Sequence, residues 1–171
     1  YDFDLDKIEA SGFNTISERI TEKYDGGMFE WCREVFDLSK VERAIKPVWP
    51  TYMNEYASSS DPSTDAERKT FAPVLRVDFL LKEWNGCEQM WNETQESFGL
   101  HPDTTNRYLG AFESIFTKSF DAGALGIKQF CAYYRSLRFD ETSGSELPEL
   151  KDIRTQDEKT RFDDFLMHRI L

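Results

Sequence analysis

Histidine is scarce in this chain: two in 171 residues, His101 and His168. A metal centre built within one segment needs several imidazole, thiolate or carboxylate ligands at short spacing, and neither His has a second one nearby. Cysteine is equally thin. Cys32, Cys87 and Cys131 are far apart and odd in number, which argues against a disulfide framework, and no CxxC pair offers a structural zinc site. Such usage points to isolated thiols in a reducing, cytoplasmic compartment. No run of about 18 apolar residues occurs, so no membrane-spanning helix is expected, and no signal-peptide pattern is visible. Basic residues are outnumbered 21 to 32, for a net charge of −11. The two signs are mixed along the chain, so the basic stripe that nucleic-acid binding needs is missing. No Gly-x-Ser-x-Gly elbow, phosphate-binding loop or Gly-x-Gly-x-x-Gly turn is present.

What the chain does have is aromatic mass. Fourteen Phe, seven Tyr and four Trp within a 39% apolar composition are enough to bury a core. Apolar residues at helical spacing predict helices over 4–24, from Met28 to Phe36, over 84–98 and over 104–122. Thr104 or Thr105 is the expected cap of the last of these. Another helix is expected from Thr155, where Thr155 and Glu158 form a capping box. Ile45 to Trp49 reads as a strand end or a loop. Residues 54–70, rich in Ser, Asp and Pro, read as a surface loop, and 139–154 as a polar loop.

Two segments read as buried strands. Val74 to Leu81 is a nearly continuous apolar run after Pro73, the pattern of a parallel strand covered on both faces. Ala124 to Tyr133 follows a helix and a Gly-containing turn, which is the second half of a βαβ crossover. Strand parity puts Gly126, Lys128, Phe130 and Ala132 on one face. A lysine within a buried strand is costly unless it is paired, metal-bound or neutral, so Lys128 stands out. Its plain alternative is a stem that snorkels from a strand end. Arg76 and Asp78 share parity and could pair on one face, in a structural or a site role. Cys131 lies close to Lys128 but has no histidine beside it, which makes it a poor nucleophile.

The string Gly126-Ile127-Lys128, followed by Ala132-Tyr133-Tyr134-Arg135-Ser136-Leu137, resembles a strand motif of the amidohydrolase superfamily, in its amidohydrolase 2 branch. The resemblance is moderately specific over 123–137 and weak elsewhere. It implies an α/β fold: part of a (β/α)8 barrel with helical insertions, and parallel strands near 74–81 and 124–133. On this reading residues 1–171 are one internal segment of the barrel, with 1–70 a helical insertion plus loop. The chain opens at Tyr1 without Met, and its last helical pattern reaches Leu171 with no stop signal, which agrees with that expectation.

The implied activity is metal-dependent hydrolysis of a small carboxylate-, lactone- or amide-containing substrate. The implied cofactor is a divalent metal (Zn, Mn or Fe). In the wider superfamily a strand lysine can be carbamylated and bridge two metals, which casts Lys128 as a catalytic and metal residue. Tyr134 and Arg135 become candidates for binding a substrate anion, since the planar guanidinium gives a carboxylate two parallel hydrogen bonds. The remaining ligands of the family, several histidines and an aspartate, have no counterpart here and would come from outside the segment. A uronate-isomerase-like sugar isomerase and a non-catalytic helical interaction module are the alternatives. Expected partners are a small-molecule substrate and the remainder of the barrel. A homo-oligomer is compatible; nucleic acid and membrane are not expected.

Overall fold

A computed structural model describes residues 10–82 and 87–170. In chain order the elements are α1 (Ala10–Asp25), α2 (Met28–Ser39), β1 (Ala44–Val48), α3 (Pro50–Ser58), α4 (Pro62–Thr70), β2 (Phe71–Arg76), α5 (Cys87–Phe98), α6 (Thr105–Asp121), β3 (Ile127–Lys128) and α7 (Gln156–Ile170). Short 3-10 turns occur at Asp78–Leu80, Cys131–Tyr133, Gly144–Glu146 and Leu150–Asp152. The fold is α/β and mostly helical, with one small sheet in the order β1-β2-β3. The chain divides into two compact units: Tyr1–Ala44 with Ser60–Ala72, and Ile45–Ser59 with Pro73–Leu171.

The first unit is a helical hairpin with α4 against it. Gly27, at φ 124, makes the turn between α1 and α2, a backbone region in which side-chain-bearing residues are strained. Lys23 and Glu34 bridge the two helices at 2.6 Å. Lys40 closes α2 in the left-handed conformation, and its N–H reaches the Asp37 and Phe36 carbonyls. Phe71 is held edge-on by Phe29 and Phe36, with ring centroids 6.1 and 5.9 Å apart. Arg43 Nη2 donates to the carbonyls of Arg68 and Phe71.

The second unit holds the core. Phe79, Trp91, Tyr108 and Phe162 form a continuous chain of rings, with successive centroids 6.0, 4.6 and 5.6 Å apart. Leu75, Val77, Leu80, Leu81, Ile115 and Leu166 are buried with them. Burying a ring of this size stabilises by about 2–3 kcal/mol against leaving it exposed, so these four rings organise the unit. Tyr108 keeps its hydroxyl satisfied by donating to the Leu80 carbonyl at 3.0 Å. β2 and β3 pair in parallel, with Leu75 opposite Ile127 and Arg76 opposite Lys128. The Leu75 and Val77 N–H groups donate to the Gly126 and Lys128 carbonyls, and Leu125 N–H donates to the Pro73 carbonyl. Thr104 caps α6 by accepting from Arg107 N–H. Thr155 and Glu158 cap α7 reciprocally, at 2.8 and 3.3 Å.

Several elements differ from expectation for identifiable reasons. The Ser-Pro-Asp stretch is not a loop: Asp61 is an N-cap that accepts from Ser63 N–H, with Pro62 beginning α4, and Pro50 begins α3 in the same way. The first buried strand starts at Phe71 and ends at Arg76, because the chain then coils into the Asp78–Leu80 turn. The second is only Ile127–Lys128. Beyond it, side-chain oxygens take the N–H groups a ladder would use. Gln129 Oε1 accepts from Phe130 and Cys131, and Asp78 Oδ1 accepts from Phe130. Residues 4–9 and 84–86 of the expected helices lie outside the described residues.

Candidate site at the carboxyl ends of the strands

All three strands end on side chains that carry chemistry or ring surface. Trp49 follows β1, Arg76 closes β2 with Asp78 two residues on, and Lys128 closes β3 with Phe130 two residues on. The carboxyl ends of parallel strands are where α/β proteins place ligands, since the loops there are free to vary while the sheet holds them rigidly.

Arg76 is the centre of this cluster. Its guanidinium carbon lies 3.7 Å from the centroid of the Trp49 ring and 4.3 Å from that of Phe130. Its Nε donates to Asp78 Oδ2 at 3.1 Å, and the side chains are 25% and 1% exposed respectively. The other oxygen, Asp78 Oδ1, accepts Phe130 N–H at 2.7 Å. One buried carboxylate therefore ties the end of β2 to the loop after β3. The same-face pair expected from the parity of Arg76 and Asp78 forms.

Lys128 is exposed, not held among apolar neighbours. β3 is too short to bury it, and its ammonium sits 4.8 Å from the centroid of the Phe130 ring. The expectation of a buried strand lysine is corrected accordingly. It makes no ion pair among the described residues. Phe130 in turn stacks on Tyr133, with centroids 5.9 Å apart, and Tyr133 is 84% exposed.

Arg135 and Tyr134 lie further along the same loop. Tyr134 is half-buried. The Arg135 side chain is 7% exposed and paired with Asp164 of α7, itself 5% exposed, at 2.5 Å. Arg135 also donates to the Ser136 and Arg138 carbonyls, and Asp164 accepts from Asp140 N–H. This arrangement fastens the 135–140 loop to α7. As an anion clamp Arg135 would have to leave a buried partner, which is costly.

Cys131 is buried, and burial pushes its thiol above the ordinary range, with Arg135 opposing and Asp78 reinforcing that shift. A thiol held in the protonated form is inert, in keeping with the sequence reading. His101 and His168 are both exposed. No group of three or more His, Cys, Asp or Glu side chains among the described residues is placed to hold a metal ion. The described residues around Lys128 therefore do not make a metal site by themselves. No helix among the described residues is long and apolar enough to cross a membrane.

The chain matches no family model and no curated protein.

The residue that sequence reasoning undervalued is Arg76. Its signal was present as a charge inside an apolar run with an aspartate two positions on. What was missing was Trp49 and Phe130, which approach from 27 residues before and 54 after.

Proposed function

We propose that this chain forms part of a metal-dependent hydrolase of the amidohydrolase type, acting on a small carboxylate-, lactone- or amide-containing substrate. The observation that carries this reading is the gathering of Arg76, Asp78, Lys128, Trp49 and Phe130 at the carboxyl ends of successive strands. The order β1-β2-β3 supports it. In a (β/α) barrel each strand neighbours the next one in sequence, with helices between, whereas a doubly wound sheet reverses its order part-way. The metal's ligands would be supplied from beyond the described residues, since no metal-holding group occurs among the described ones. When bound, such a metal supplies an activated water.

The whole protein should hydrolyse a member of a panel of lactones, amides and esters and carry a divalent metal by elemental analysis. Lys128→Ala should lower activity. Turnover of uronates instead would point to a sugar isomerase. A metal-free protein with neither activity would leave an interaction module.

A further inference from the structure

We infer that Arg76, backed by Lys128, is the group that binds the substrate's carboxylate, and that the carboxylate is carried on a flat apolar body. The inference deepens the proposed function and rests on it for the word substrate; binding itself is measured apart from turnover.

A guanidinium has five N–H donors, and Arg76 commits one. The Trp49 and Phe130 rings both lie against the guanidinium, and its Nε is held by a carboxylate that is itself fixed by a backbone N–H. The side chain is thus held by three groups. Its two terminal nitrogens make no hydrogen bond among the described residues, and they are not among the buried polar atoms that lack a partner. What is left is an open edge of parallel donors, the shape that a carboxylate fits with two hydrogen bonds. A purely structural Arg–Asp pair would gain more by turning that edge onto the aspartate.

Charge favours the same ligand. Among the described residues the cluster holds two cations, Arg76 and Lys128, against one carboxylate, Asp78, within a chain of net charge −11. Arg76 and Lys128 are register partners on neighbouring strands and share the Phe130 ring. The Phe130–Tyr133 stack supplies an apolar surface beside them, and Tyr133 is open to solvent. An anion without an apolar body would leave that surface unused.

The test is a titration of the whole protein with benzoate and with benzamide, its neutral isostere, followed by ligand-observed NMR. Benzoate should bind saturably and benzamide at least about tenfold more weakly, the worth of a charge-assisted pair of hydrogen bonds. Arg76→Lys retains a charge for Asp78 but loses the fork, and should weaken benzoate about tenfold. Lys128→Gln, at an exposed position, should weaken it about threefold and leave folding intact. Arg138→Gln, which removes an exposed arginine outside the cluster, should change nothing. Circular dichroism confirms that each variant is folded. Absence of saturable benzoate binding, equal binding of benzamide, or unaltered binding by folded Arg76→Lys would overturn the inference. Binding through Arg76 without hydrolysis of any panel member would leave it standing and remove the hydrolase reading.

Discussion

Replacing Asp78 by asparagine changes one atom's chemistry and little volume. The aspartate accepts from two donors, one per oxygen: Phe130 N–H at 2.7 Å and Arg76 Nε at 3.1 Å. Asparagine has one carbonyl oxygen and one NH2 group, so whichever way it turns, a donor faces a donor. A hydrogen bond to a charged group is worth about 1.5–3 kcal/mol, and an unmet buried donor costs about 1–3 kcal/mol. Arg76 is one-quarter exposed, so water recovers part of the loss on its side. The expected destabilisation is about 2 kcal/mol, smaller than for a fully buried pair. With a urea dependence of about 2–3 kcal/mol/M for a chain of this size, the unfolding midpoint should fall by about 0.7–1 M. Coupling between Arg76→Met and Asp78→Asn in a double-mutant cycle should be about 1 kcal/mol. A midpoint shift under about 0.2 M, or additive single effects, would refute the claim that this carboxylate ties the two strand ends together.

Asp164→Ala leaves Arg135 charged and buried without its partner, and should cost about 3–5 kcal/mol by chemical denaturation. Tyr108→Phe removes the donor to the Leu80 carbonyl while keeping the ring, for an expected loss of about 1 kcal/mol in the same assay. The Thr155 and Arg154 N–H groups hold the Glu158 carboxyl below its ordinary range. A carboxyl lowered on folding stabilises fully above its unfolded pKa, and the contribution fades as pH falls through the folded one. The first turn of α7 should therefore fray in acid, seen as faster amide exchange there, and Glu158→Gln should remove that pH dependence.

Local grammar was legible wherever one segment contains its own reasons. The stripe from Tyr108 to Phe120 and the cap at Thr104 define α6, and Thr155 with Glu158 defines the start of α7. The Ser-Pro-Asp stretch shows the limit of that grammar, since Asp61-Pro62 suits a turn and a helix start equally well. Strand length was not local at all. β3 stops at Lys128 because Gln129 and Asp78, one adjacent and one fifty residues away, claim the next N–H groups. That early stop is what leaves Lys128 in solvent. The surroundings of the two arginines likewise depend on distant partners: Asp164 of α7 takes Arg135 into a buried pair, while Trp49 and Phe130 lie against Arg76. A side chain's type is written in the chain, but whether its charge is spent or available depends on which neighbours folding brings to it.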